Sequence, residues 1–238
     1  MSKGLRVSVV IKDNSSVKDP ASALGEAVGK LVEEAVKKVV EELARKYKLT
    51  VHAKQKISDK AGIRFEVDLP IYKEDKLIGI IDVKYLRYTK HARDKASWVV
   101  VAHRRLAASY PTIQRTAVVL HGHGWSKDAK KLIATSCIDV IELEPAKLDE
   151  ILDDYGIKFV WHEKNAETPR ESWKRFQELS NEEKKKIIEA IVEDVRERLE
   201  EWFRTRLIGD TDDVKLSLSF LCPEAKVMMS LTSFFEEH

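Results

Sequence analysis

The stretch that most constrains the fold runs from Ile63 to Leu86, two segments of strand character separated by a short polar turn. In Ile63-Arg64-Phe65-Glu66-Val67-Asp68-Leu69, apolar and polar residues alternate, the period-two pattern of a strand with one apolar face. Leu77 to Leu86 is apolar apart from Asp82, Lys84 and Gly79, as in a central strand covered on both faces. With a turn centred near Glu74 and Asp75, an antiparallel hairpin sets Asp68 within about one residue of Asp82 across the ladder. Asp82 and Lys84 share a face of their strand, so two carboxylates and one ammonium are expected to converge on a single patch.

Like charges on a mostly apolar strand repel one another and resist desolvation, so the patch requires a compensating partner. Lys84 is one candidate and a bound divalent cation is another. Mg²⁺ suits such a site because it takes one or two protein carboxylates and completes its shell with water and substrate phosphate.

Asp68, a hairpin and then Asp82-Val83-Lys84 resembles the core of the PD-(D/E)XK nucleases, the superfamily of type II restriction endonucleases and several DNA-repair nucleases. The resemblance spans roughly residues 22 to 145 and rests on the flanking strand pattern, the 14-residue gap between the aspartates and the order of elements. The tripeptide alone is too short to be specific. The first motif departs from the pattern, since Val67 stands where proline is usual and Pro70 follows Asp68 by two residues.

The resemblance implies an α/β, restriction-endonuclease-like fold, with a central mixed β-sheet flanked by helices and a helical C-terminal addition. Residues 1 to 238 would form one domain, with the catalytic core at 22–145 and a scaffold or dimerisation region of helices and short strands at 146–238. It further implies a Mg²⁺-dependent endonuclease, with Mn²⁺ as a substitute, that hydrolyses phosphodiester bonds of double-stranded DNA at a short specific sequence. Asp68 and Asp82 would hold the metal, with the Val83 backbone carbonyl as a further ligand, and Lys84 would orient the attacking water. Cutting a palindrome would require a homodimer. Two alternatives stay open: a structure-specific repair or junction nuclease, and a non-catalytic α/β nucleic-acid-binding protein. In the last, Asp68 and Lys84 form a salt bridge and an arginine neutralises Asp82.

Upstream, Ser22 to Tyr47 carries Leu24, Ala27, Val28, Leu31, Val32, Ala35, Val39 and Leu43 at helical spacing, an amphipathic helix whose broad apolar face packs on a sheet. Gly25 and Gly29 within it each cost about 1 kcal/mol of helix propensity relative to alanine, which suggests close backbone approach. Gly29-Lys30-Leu31-Val32-Glu33 resembles the first core helix of the same nucleases and makes Glu33 a candidate active-site residue. Glu26 lies on nearly the same line, and both also read as ordinary solvated glutamates. Val51 to Lys60, basic and polar, reads as a strand or loop at the mouth of the site.

Lys84 to Arg105 contains seven basic residues against Asp94 alone. Arg87, Lys90, Arg93, Lys95, Arg104 and Arg105 are therefore candidate DNA-binding residues, since phosphate contacts position a duplex without reading its sequence. A solvated charged face is the alternative. Ala92 to Ser109 should be a helix and Thr116 to Leu120 a buried strand. His121-Gly122-His123 reads either as a metal pair or, lacking a neighbouring carboxylate at ligand spacing, as a glycine-rich turn beside the cleft. Ser126 caps a short helix through Ile133, and Ile138 to Leu143 returns as a parallel strand.

Beyond this core, Pro145 to Asp154 is expected to be a helix ended by Gly156, and Ile157 to Trp161 a strand. Thr168-Pro169-Arg170-Glu171 and Ser180-Asn181-Glu182-Glu183 read as capping boxes opening two further helices. Short strands are expected at 5–11, 214–220 and 227–231. Forty-two basic and forty acidic residues leave a net charge of +2, so a nucleic-acid footprint must be local. Cys137 and Cys222 read as buried hydrophobes in a reducing compartment. No apolar run approaches the roughly 18 residues of a membrane span, which with the lack of a signal-peptide pattern points to a cytoplasmic protein.

Overall fold

The computed structural model describes residues 19–209 apart from Glu163. The strands expected at 5–11, 214–220 and 227–231, and Cys222, lie outside the described residues. The rest is an α/β structure built on a five-stranded mixed sheet flanked by helices.

Helix α1 spans Pro20–Lys46, opened by Asp19, whose carboxylate accepts the Ala21 N–H, with Pro20 in the first turn. Strands β1 (Thr50–Val51), β2 (Gln55–Ser58), β3 (Arg64–Val67), β4 (Leu69–Lys73) and β5 (Lys76–Tyr85) follow. Then come α2 (Ala92–Ser109), β6 (Arg115–His121), α3 (Lys127–Thr135), β7 (Asp139–Glu142) and α4 (Pro145–Asp153). Helices α5 (Glu167–Glu178) and α6 (Asn181–Trp202) complete the order, and α6 runs on as one π-helical turn, Phe203–Ile208.

The sheet runs β1-β4-β5-β6-β7, with β4 antiparallel to β5 and β6 and β7 parallel to it. The expected hairpin is present, closed at Glu74 and Asp75, both at positive φ, and Leu69 pairs with Ile81. One expectation is corrected. Ile63 to Leu69 is not a single strand of that hairpin, because Arg64–Val67 pairs instead with Gln55–Ser58 in a separate two-stranded sheet. Asp68 is the joint between the two sheets. Alternation can establish that a segment is extended, but it cannot identify which neighbour the segment bonds to.

The sheet separates two apolar layers. Alternate residues Leu69, Ile71, Ile81, Val83, Ala117, Val119 and Ile141 face α1, which is backed by Ile187, Ile191, Val195 and Leu199 of α6. On the other face Val118 and Leu120 pack with Ala92, Ala96 and Val99 of α2 and with Ala129 and Ile133 of α3. Gly25 explains how closely α1 can approach, since a Cβ there would lie 2.8 Å from the Tyr85 ring, whereas at Gly29 it would meet only ordinary contact at 3.8 Å. No described helix is long and apolar enough to cross a membrane.

Three further expectations change. Ile157 to Trp161 is not a strand. Ile157 and Phe159 are buried, but the Lys158 N–H bonds to Ser172 Oγ, so the segment is pinned by side chains and has no ladder. The box at Thr168 is replaced by Asn165, whose Oδ1 accepts the N–H groups of Glu167 and Thr168, while the Ser180–Glu183 box is present. Cys137 is not a buried hydrophobe: it is exposed and has φ of 61°.

Candidate active site

Asp68 sits where β3 ends and β4 begins, and Asp82 and Lys84 project from central strand β5. The three side chains meet. Lys84 Nζ lies 2.7 Å from Asp68 Oδ2 and 3.4 Å from Asp82 Oδ2. The Asp68 N–H donates to Asp82 Oδ1 at 3.0 Å, and the Val83 N–H donates to Asp68 Oδ2 at 2.9 Å. Val83 thus contributes its amide N–H to this geometry.

Burial and charge work differently on each group. Burial pushes Asp68 upward, Asp82 adds to the rise, and Lys84 with the Val83 N–H opposes it, leaving the carboxyl above its ordinary range. At Asp82 burial also acts upward but is outweighed by His103, Lys84 and the Asp68 N–H, so that carboxyl is held well below the usual range. Burial would lower the Lys84 ammonium, yet the two carboxylates prevail and raise it. Asp82 is therefore the firm anion, Lys84 the firm cation, and Asp68 the more readily protonated member.

A fourth residue belongs to the cluster and was not singled out by sequence reasoning. His103 of α2 is 1% exposed, and its Nε2 lies 3.3 Å from Asp82 Oδ2, yet neither ring nitrogen has a well-aligned hydrogen bond. The signal was present in the helix, because His103 falls between Val99 and Leu106 on the apolar stripe, where a ring with two polar atoms is out of place. Lys54 was also overlooked in this role. Its N–H donates to the Asp68 carbonyl at 2.8 Å, and its Nζ binds Glu33 Oε2 at 2.8 Å. Glu33 thus reaches the trio only through Lys54, and Glu26 is turned to Lys30 on the exposed face.

The basic residues after Lys84 divide into two sets. Arg105 is committed to Asp59 at 2.5 Å, and Arg87 lies with its guanidinium 3.1 Å from the Trp161 ring centroid, so both have intramolecular roles. Arg104 is half-buried on α2. Lys90 and Arg93 are exposed, Arg93 near Asp128 at 3.5 Å, and Lys95 donates to the Tyr85 carbonyl at 3.2 Å. Burial lowers the Lys95 ammonium, and the neighbouring Lys84 lowers it further.

The two histidines after β6 do not form a pair. His121 is buried against Tyr85, with ring centroids 4.9 Å apart, and burial followed by Lys95 pushes it down to about 3. His123 is exposed, and its Nε2 lies 2.7 Å from Asp149 Oδ2, a carboxylate that only the fold brings near. Gly122 makes the turn at φ 92°, where a Cβ would sit 2.5 Å from the Leu86 carbonyl oxygen. A cleft of about 420 Å³ lined by Gln55, Tyr72, Lys76 and Tyr110 lies at the other end of the hairpin, away from the carboxylates.

Among the described residues, no group of three or more His, Cys, Asp or Glu side chains is arranged to hold an ion. Both carboxylates lie within 3.4 Å of the Lys84 ammonium, which is the cation they share in this structure. No protein-family model and no curated protein matches the chain. A crystal structure described as a protein of unknown function, AF1548, is similar over 71% of this chain and 98% of that one, at 13% identity and a TM-score of 0.35. A likeness this loose carries no argument about fold or activity.

Proposed function

We propose that this chain is a divalent-metal-dependent DNA endonuclease with a restriction-endonuclease-like core at residues 22–145, residues 146–238 serving as scaffold or dimerisation region. The observation that carries the reading is the meeting of Asp68, Asp82 and Lys84, with the ammonium 2.7 and 3.4 Å from the two carboxylates. The order helix, hairpin, helix, strand, helix, strand and the mixed sheet with β5 near its centre support it.

In this reading Asp68 and Asp82 would hold Mg²⁺ or Mn²⁺. The bound ion would lower the pKa of a coordinated water and offset charge on the phosphate. Lys84 keeps its proton, because two carboxylates outweigh its burial, and donates toward the attacking water or a phosphate oxygen. His103 fills the space behind Asp82 and keeps that carboxylate turned toward Lys84. Water oxygen would add to phosphorus as its proton passes to solvent, and the bond to the 3′ oxygen would break as that oxygen takes a proton from solvent, giving the 5′-phosphate and 3′-hydroxyl ends that the family resemblance implies. Lys90, Arg93 and Lys95 are the cations best placed to meet the DNA backbone.

The test is incubation of plasmid and Mg²⁺ with wild type, Asp82→Ala and Lys84→Ala, each checked for a cooperative melt. Cutting by wild type alone supports the reading, and equal cutting by all three removes it. Discrete fragments indicate a restriction enzyme acting on duplex as a two-fold dimer. Preference for branched or frayed DNA indicates a structure-specific nuclease, which exposed Trp98 favours.

A further inference from the structure

Trp98 is the most exposed aromatic ring among the described large hydrophobic residues, at 66%, on a helix whose inner face is otherwise well packed. It is not a loose side chain. Its ring is tilted at 51° against Phe65, 6.3 Å between centroids, and Phe65 is itself only 4% exposed. The indole is backed by a buried ring and presents its outer surface to solvent. Ile63, two residues before Phe65, and Val101, three after Trp98, are also exposed, at 47% and 45%.

The surroundings tie this ring to the candidate site. Phe65 precedes Asp68 by three residues of extended chain, about 10 Å. Lys95 lies one helical turn before Trp98, donates to the Tyr85 carbonyl and is close enough to Lys84 to feel its charge. Exposed Arg64 adjoins Phe65. A flat π surface one helical turn from the Lys95 ammonium, which itself reaches the residue after Lys84, matches the components of a nucleotide: a base face to stack and a phosphate to pair.

A second protein surface is a poorer occupant. Three exposed apolar side chains flanked in sequence by exposed Arg64, Asp94 and Lys95 are too few to make the continuous apolar centre of a stable interface. Within an intact duplex the base faces are already stacked on one another, so the ring can engage only a base that is unpaired.

We propose that Trp98 is a stacking platform for an unpaired base beside the bond to be cut, with Lys95 holding the adjoining phosphate, so that the substrate is single-stranded, frayed or forked nucleic acid. This rests on the nuclease reading of Asp68, Asp82 and Lys84.

The experiment measures fluorescence anisotropy of labelled single-stranded, blunt duplex and forked DNA in EDTA, where no cleavage occurs. Wild type, Trp98→Ala and Trp98→Phe are compared after their melting curves are shown to agree. Wild type is expected to bind the single strand and fork more tightly than the duplex. Trp98→Ala should weaken those two by about 5- to 150-fold and the duplex by less than about twofold, with Trp98→Phe recovering most of the loss. Equal weakening on all three DNAs, or none, overturns the platform. So does a wild-type dimer that Trp98→Ala converts to monomer in sedimentation, because the ring would then be covered by a second copy. Binding that follows Trp98 without Mg²⁺-dependent cutting by wild type sinks the nuclease reading alone. Cutting that follows Asp82 with binding indifferent to Trp98 sinks the platform alone.

Discussion

Asp68 and Asp82 hold each other's strands: the Asp68 N–H donates to Asp82 Oδ1 at 3.0 Å, and the N–H of Val83, the residue after Asp82, donates to Asp68 Oδ2 at 2.9 Å. The backbone pairing of β4 with β5 reaches Leu69 and Ile81, and these side-chain bonds extend it one step further, at the point where the chain turns away into β3. Two carboxylates that would otherwise repel are thereby fixed within reach of one ammonium.

Removing that ammonium should expose the repulsion. In EDTA, Lys84→Met is expected to lose about 2 kcal/mol of unfolding free energy, less than for a fully buried pair because Lys84 keeps 27% of its side-chain exposure. Millimolar Mg²⁺ or Ca²⁺ should restore much of the loss by binding the folded state. Thermal melts with and without the ion check this, and a variant as stable as wild type in EDTA contradicts it.

The two carboxylates should titrate in opposite senses. Asp82 has a depressed folded pKa, so its stabilisation is present above the unfolded value of 3.8 and lost as pH falls through the folded one. Asp68 has a raised folded pKa, so its neutral form favours folding below 3.8 and that advantage disappears as pH rises through the folded value. Urea titrations of wild type, Asp68→Asn and Asp82→Asn between about pH 2 and pH 7 in EDTA should show the advantage of Asp82 over Asn growing up to about pH 5 and level above it, and that of Asp68 shrinking as pH rises above about 4. Parallel curves for the two variants would show that the environments do not differ.

His103 should affect activity more than stability. Neither ring nitrogen makes a well-aligned hydrogen bond, so the gain from removing two buried polar atoms is expected to offset the lost contact to Asp82, and His103→Leu should stay within about 1 kcal/mol of wild type. Asp82 loses a neighbour at 3.3 Å, and Mg²⁺-dependent cleavage should fall by roughly 10- to 100-fold. Melting and cleavage measured on one preparation decide it; a variant both less stable and fully active would contradict the assignment.

Arg105 and Lys95 should behave differently despite lying on one helix. Arg105 is spent on Asp59, whose Oδ1 also receives the Ala61 and Ile63 N–H groups, so Arg105→Ala should lower the melting temperature and leave the salt dependence of DNA binding unchanged. Lys95→Ala should reduce that salt slope by about one while leaving the melt nearly intact. Affinity measured across a salt series separates the two. Identical slopes for wild type and Lys95→Ala would remove Lys95 from the interface.

What the sequence by itself determined is what depends on neighbours along the chain. Periodicity and turn chemistry suffice for the hairpin that carries Asp82 and Lys84, for α2 over Ala92–Ser109, for the β6 core at Thr116–Leu120 and for the Ser180 cap, because each follows from local hydrogen bonding and from which face is apolar. Only the tertiary structure decided that Asp68 joins two sheets, that His103 backs Asp82, that Lys54 intercepts Glu33, that Trp161 covers Arg87 and that Ile157 to Trp161 stays outside the ladder. Apart from the β2–β3 pairing, whose partners are 6 to 12 residues apart, these depend on partners between 14 and 74 positions away in sequence. A side chain's pattern along its own strand or helix shows which way it points, but its partner is selected by the packing of the whole chain.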